Sequence, residues 1–137
     1  MGESILVLTH VDETGSGLTR ASLEAVTAGR ELSAKLPAPL TIGILAANPA
    51  PPARALAAAG ARVIAVSGEP FAQARYVTDA AACEALCKAA QATLVLAPNS
   101  SRIARVAAGV AHRIGGCIDT HIIAIGGADS IEVSRWF

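Results

Sequence analysis

The chain has 137 residues, of which 53% are hydrophobic, 16% charged and 3% aromatic, and eleven basic residues balance eleven acidic ones. That length fits one domain, and the high apolar content excludes a disordered chain. A net charge of zero argues against nucleic-acid binding, which needs a basic surface, and no run reaches the ~20 apolar residues of a membrane-spanning helix. The first residues also lack the basic region and cleavage site of a signal peptide. We therefore expect a cytoplasmic protein that binds no nucleic acid and does not insert into membranes.

Short runs of β-prone apolar residues recur along the chain, as is typical of strands buried on both faces of a parallel sheet. Strands are predicted over residues 5–8, 41–46, 62–66, 93–97 and 122–125. After the last of these, Gly126-Gly127 and residues 131–133 predict a hairpin at the sheet edge.

Helical periodicity separates these runs. Helices are predicted over residues 18–36, 52–59 and 80–90, and over a fourth segment that runs to Ile114. Thr78 or Asp79 is expected to cap the third helix, and Ser100 or Ser101 the fourth. The alternation of strands and helices predicts one α/β domain with three layers, in which a doubly wound, mainly parallel sheet lies between helices.

Ligands of such sheets bind beyond the carboxyl ends of the strands. The candidate segments are therefore residues 10–17, 47–51, 67–70 and 98–101. Residues 15–20 come close to the dinucleotide-binding fingerprint, but Arg20 stands where its third glycine belongs, and the loop before it is longer than the usual tight turn. A flexible Gly-Ser loop is the interpretation that we favour there.

Residues 98–102 (PNSSR) lie where the fourth strand leads into a helix. Two interpretations are open for this segment. Backbone N–H groups, hydroxyls and Arg102 suit an anion or phosphate, whereas serines at a helix start commonly serve as caps. We favour the cap.

The remaining chemically active side chains form no recognisable catalytic or metal-binding pattern. The histidines are scattered, at His10, His112 and His121. Asp119 and His121 would share a face in an extended segment, but no nucleophile accompanies them to make a triad. The cysteines, at Cys83, Cys87 and Cys117, have no further ligands nearby and are interpreted as structural. We assign no catalytic, cofactor-binding or metal-binding residue to this chain.

Several segments, taken together, resemble the N-terminal domain of electron transfer flavoprotein (ETF) α subunits. Residues 5–10 (ILVLTH), a glycine-containing loop and residues 22–32 (SLEAVTAGREL) are similar to the family's strand, loop and helix. The resemblance continues in GARV at 60–63, LAPNSS at 96–101, VAHRIG at 110–115 and VSR at 133–135. It therefore spans essentially the whole chain.

The resemblance implies a fold like that of the adenine nucleotide α-hydrolases and universal stress proteins. It also implies an ETF α/β heterodimer that carries electrons on FAD, from acyl-CoA dehydrogenases or other flavin dehydrogenases to a quinone reductase or another acceptor. The family's FAD lies mainly in a C-terminal domain, so we expect residues 1–137 to be a fragment that binds no FAD and is not an enzyme. Its role would be a scaffold for the ETF β subunit.

Two rival functions come from other classes. The first is a stand-alone, universal-stress-like nucleotide-binding module, although residues 98–102 lack that family's glycine-rich phosphate loop. The second is a small hydrolase, for which the sequence offers no plausible pair of nucleophile and base. A scaffold should expose a sizeable apolar patch for its partner and should be colourless when purified.

Overall fold

Strands and helices alternate along the chain in the computed structural model, which describes residues 2–126 and 131–135. The strands are β1 (Ile5–His10), β2 (Leu40–Ala46), β3 (Arg62–Ser67), β4 (Leu94–Leu96), β5 (Ile122–Gly126) and β6 (Glu132–Arg135). The helices are α1 (Arg20–Lys35), α2 (Ala50–Ala58), α3 (Tyr76–Ala89) and α4 (Ser101–Arg113), and a short 3₁₀ helix (Glu69–Ala72) precedes α3.

The main sheet consists of four parallel strands in the order β3-β2-β1-β4. Residues 5–10 of β1 lie opposite residues 40–45 of β2, and residues 5–7 lie opposite residues 94–96 of β4. A helix follows each of these strands, as parallel pairing requires a crossover. The predicted α/β class and mainly parallel sheet are confirmed.

Both faces of this sheet are buried, which explains why its strands are continuously apolar. Leu6 and Leu45 pack against α3 and α4. Val7, Ile42 and Ile44 point the other way, towards α1 and α2. Because successive side chains of a strand point to opposite faces, neighbouring apolar residues of β1 enter two different cores. The predicted three-layer, doubly wound arrangement is therefore confirmed.

Gly29 allows α1 to lie close to the central strand. A Cβ atom at this position would overlap the side chain of Val7 and would lie 3.3 Å from Leu40 Cδ1. A helical glycine costs about 1 kcal/mol relative to alanine, and here the loss is offset by close packing of the helix on the sheet.

The predicted helices are present, with shifts at their starts. α1 begins at Arg20 because the Thr19 hydroxyl accepts a hydrogen bond from the Ser22 N–H at 3.1 Å, while Leu18 forms an antiparallel bridge with Val11. α2 begins at Ala50, two residues before the predicted start. The expected cap of α4 is confirmed, since the Ser100 hydroxyl accepts from the Ile103 N–H.

The predicted start of α3 is wrong. The helix begins at Tyr76 rather than Ala80, so Thr78 and Asp79 lie inside its first turns and neither is the N-cap residue. Tyr76 and Val77 are exposed, so the first two residues add no buried apolar side chain that would mark the start of the helix in the sequence. Asp79 instead reaches back, and its Oδ2 accepts a hydrogen bond from the Arg75 N–H at 3.3 Å.

The fifth predicted strand does not join the parallel sheet. β5 pairs antiparallel with β6 in a separate two-stranded sheet, and Ile125 packs against the core around Leu32 of α1. Strands close together in sequence can pair antiparallel through a short connection, whereas parallel pairing needs a long crossover. The predicted hairpin pairing is thus confirmed, but not its place on the main sheet. Its connection, residues 127–130, lies outside the described residues.

Candidate functional site

The candidate site lies at the carboxyl ends of β1 and β4. Helices after β1 and β2 cover one face of the sheet, and those after β3 and β4 cover the other. The chain direction across the sheet therefore reverses between β1 and β4, and ligands of open α/β sheets bind at such a switch point. Two of the predicted segments, 10–17 and 98–101, meet here.

A hydrogen-bonded pair of side chains joins these two segments. His10 Nε2 lies 2.8 Å from Ser100 Oγ, and His10 Nδ1 lies 3.2 Å from the carbonyl oxygen of Val11. Because a carbonyl can only accept, Nδ1 carries the proton. The lone pair on Nε2 consequently accepts the hydroxyl proton of Ser100.

The imidazole of His10 is held in its neutral form. Its side chain is buried, and this burial lowers the pKa of His10 below the usual 6.5. The hydrogen bond to the Val11 carbonyl opposes the shift but is outweighed, and the charge of Arg102 adds to the lowering. At neutral pH the ring therefore presents an unprotonated nitrogen to Ser100.

The start of α1 fixes the backbone of His10. The His10 N–H donates to Ser22 Oγ at 3.1 Å, and the His10 carbonyl accepts from the Thr19 N–H at 3.1 Å. The Thr19 hydroxyl in turn donates to Ser22 Oγ at 2.9 Å. The end of β1 is thus bonded to the first turn of α1, which sets the position of the imidazole.

Arg102, predicted as a possible anion ligand, forms a buried ion pair instead. Its Nε and Nη2 donate to the two carboxylate oxygens of Asp79 at 2.8 and 2.9 Å. Nη2 also donates to the Phe71 carbonyl at 3.1 Å. The Asp79 side chain is 1% exposed and that of Arg102 is 11% exposed. The guanidinium therefore joins α4 to α3 and to the segment after β3, and the cap interpretation of Ser100 is confirmed.

The Gly-Ser loop after β1 does not have the form of a dinucleotide-binding turn. The Asp12 N–H donates to the Gly17 carbonyl at 2.8 Å, which closes the loop on itself. The Thr14 hydroxyl is the main cause that lowers the pKa of Asp12, and the Thr14 N–H also donates to this carboxylate, at 3.0 Å. These hydrogen-bonding groups of the loop therefore bond to one another.

Comparison with known proteins identifies the family. The family model of the electron transfer flavoprotein domain matches residues 7–137. The chain belongs to the electron transfer flavoprotein family. No curated protein matches it in sequence. Proteins of this family carry electrons rather than act as enzymes, and they work with other flavin proteins.

The other sequence candidates lie apart from the switch point of this ETF domain. Asp119 pairs with Arg135 at 2.9 Å rather than with His121. His121 has φ of +58°, so the segment is not extended as the predicted couple requires. His112 is exposed on α4. No catalytic role was predicted for Asp119 and His121, and the carboxylate of Asp119 is bound to Arg135 instead.

The cysteines of the ETF domain divide into two environments. Cys83 and Cys87 are buried in α3, and burial raises the pKa of Cys83 to about 12. Cys117 is exposed, so it does not pack in the core as Cys83 and Cys87 do. Within residues 2–126 and 131–135, no three His, Cys, Asp or Glu side chains are grouped to bind a metal. None of the described helices has the length and apolar character needed to cross a membrane.

The sequence singled out both segments of the switch point but missed the pair that joins them. His10 and Ser100 are separated by 90 positions, and nothing local in either segment marks the other as its partner. Only the pairing of β1 with β4 brings them together.

Proposed function

We propose that this chain is the N-terminal scaffold domain of an ETF α subunit, within an FAD-carrying heterodimer. The observation that carries the proposal is the match of the ETF family model to nearly the whole chain. The resemblance of residues 5–10 and 22–32 to the α subunit adds support. These segments include most of β1 and α1, and His10 lies where the two elements are hydrogen-bonded to each other. The domain has no catalytic role in this proposal.

The proposed partner is the ETF β subunit. Among the described residues, seven large apolar side chains are exposed, and four of them lie from the end of α4 onwards, at Ile114, Ile118, Ile123 and Val133. Ile123 is 69% exposed, although it lies within β5. A two-stranded sheet is marginally stable alone and gains stability when a further element covers it. These features support β5 and β6 as part of the subunit interface.

In this proposal the described residues do not form the main binding site for FAD, and the sizes of two clefts support this. One surface cleft, beside the carboxyl end of β3 and lined by residues from Glu69 to Arg75, has a volume of about 210 Å³. A second, between α1 and β5, has about 170 Å³. Pockets for cofactors of this size typically measure about 300–1,000 Å³. We therefore propose that FAD is held mainly by a C-terminal domain of the α subunit, which this domain frames.

The electron partners follow from the same proposal. The donor would be an acyl-CoA dehydrogenase or another flavin dehydrogenase, and the acceptor a quinone reductase or a related protein, all in the cytoplasm. This domain would keep the heterodimer together while electrons pass through the flavin.

The experiment is to co-express the natural gene for this chain with its neighbouring reading frames and to record the visible spectrum of the purified product. A two-subunit complex with a flavin spectrum is expected. Ile123→Asp should release the second subunit, whereas Leu23→Asp, at a side chain 51% exposed on α1, should not. A colourless monomer that gains thermal stability with ATP or AMP would overturn the proposal in favour of a nucleotide-binding module.

A further inference from the structure

The hydrogen-bonded pair of His10 and Ser100 has the geometry of a base and a nucleophile. Ser100 Oγ lies 2.8 Å from His10 Nε2, which is within the range that proton transfer requires. The Val11 carbonyl orients the imidazole from its other nitrogen, as a third group does in known nucleophile–base pairs. The scaffold role proposed above assigns no task to either side chain.

The start of α4 contributes a favourable electrostatic environment for Ser100. Ser100 is the N-cap residue of this helix, which runs for 13 residues. The first N–H groups of a helix have no partner within it and concentrate partial positive charge at its start. Negative charge that develops on Ser100 Oγ, or on an oxygen bound next to it, is therefore stabilised there.

The histidine is buried and the serine is accessible, as is needed for a base and a nucleophile that meets its substrate from solvent. His10 is 7% exposed, so its nitrogen is shielded from water, while Ser100 is partly exposed and can be reached from solvent. The ordered start of α1 holds the base, because both backbone groups of His10 are hydrogen-bonded to it.

We propose that Ser100 is a nucleophile for acyl esters and that His10 is its general base. In the acylation step, Ser100 Oγ forms a bond to the ester carbonyl carbon while its proton moves to His10 Nε2. The bond from that carbon to the leaving oxygen then breaks, and the leaving group takes the proton from Nε2. The product is an acyl ester of Ser100 and a free alcohol, with no change in oxidation state.

The first test treats the 137-residue chain with a fluorophosphonate, a reactive electrophile that forms a stable adduct with activated serine hydroxyls. Ser100 Oγ should bond to phosphorus as fluoride leaves, giving one adduct that peptide mapping places on Ser100. Ser100→Ala should abolish this adduct, and His10→Gln should slow its formation by about 100-fold or more. His112→Gln, which changes an exposed histidine away from the site, should leave the rate unchanged.

A second test keeps His10 in place, in case its replacement unfolds the chain. In a Cys117→Ser background, Ser100→Cys and Ser101→Cys are compared by their rates of alkylation with iodoacetamide at about pH 6. Both positions lie at the start of α4 and share its dipole, so the difference isolates the imidazole. Ser100→Cys should react about tenfold faster or more.

Three results would each overturn the proposal. They are an absence of the phosphonyl adduct on Ser100, an equal rate of labelling in folded His10→Gln, and equal alkylation of the two cysteine variants. Loss of the proposed β-subunit complex, by contrast, would leave all three measurements unaffected.

Discussion

The ion pair between Asp79 and Arg102 should be the most costly polar contact to break. Arg102→Met keeps most of the side-chain volume but leaves the Asp79 carboxylate, which is 1% exposed, without its bidentate partner. Two charge-assisted hydrogen bonds, at 2.8 and 2.9 Å, are lost, each worth about 1.5–3 kcal/mol. The sum agrees with the loss of about 3–5 kcal/mol that follows removal of one member of a buried pair.

The assay is urea unfolding followed by circular dichroism, with Arg20→Met as the matched control. Arg20 pairs with Glu24 at 3.4 Å, but these side chains are 95% and 67% exposed, so its replacement should cost less than about 1 kcal/mol. Asp79→Asn combined with Arg102→Met should cost about 0.5–3 kcal/mol less than the sum of the single changes. Equal losses in Arg102→Met and Arg20→Met would refute the assignment of stability to this pair.

Three further predictions concern packing, pH and thiol reactivity. Gly29→Val should lower the free energy of unfolding by about 1–3 kcal/mol, measured with urea, because the new side chain overlaps Val7. The folded state lowers the pKa of His10, so it binds fewer protons there than the unfolded chain. Stability should thus be full above about pH 6.5 and fall as the pH drops towards 5, with a shallower fall in His10→Gln. A maleimide should modify Cys117 in the native protein, while Cys83, whose pKa is raised to about 12, should react only after unfolding.

Each of these predictions has a control in the same chain. Gly17→Val should change stability by no more than about 0.5 kcal/mol, since a Cβ atom there meets nothing closer than 3.7 Å. His112→Gln should leave the pH dependence attributed to His10 in place. A maleimide reaction of native Cys83 as fast as that of Cys117 would contradict the burial of α3.

The starts of α4 and α3 show when the local sequence is enough to predict a helix cap and when it is not. Ser100 caps α4 as predicted, because a side chain that bonds to an N–H three residues later needs only its immediate neighbours. Asp79 can also cap a helix and was predicted as a possible cap of α3. It lies within α3 instead, where its carboxylate accepts a hydrogen bond from Arg102. The two residues are 23 positions apart, so nothing local to Asp79 indicated its role.

The sequence by itself determined the four parallel strands, the helices between them and the family. Strands buried on both faces must be continuously apolar, and this pattern is visible without any knowledge of the fold. The tertiary structure decided three further features: the antiparallel pairing of β5 with β6, the ion pair of Asp79 with Arg102, and the contact of His10 with Ser100. Each depends on which segments become neighbours in space. Hydrophobic periodicity reports whether a side chain is buried, but not what lies beside it.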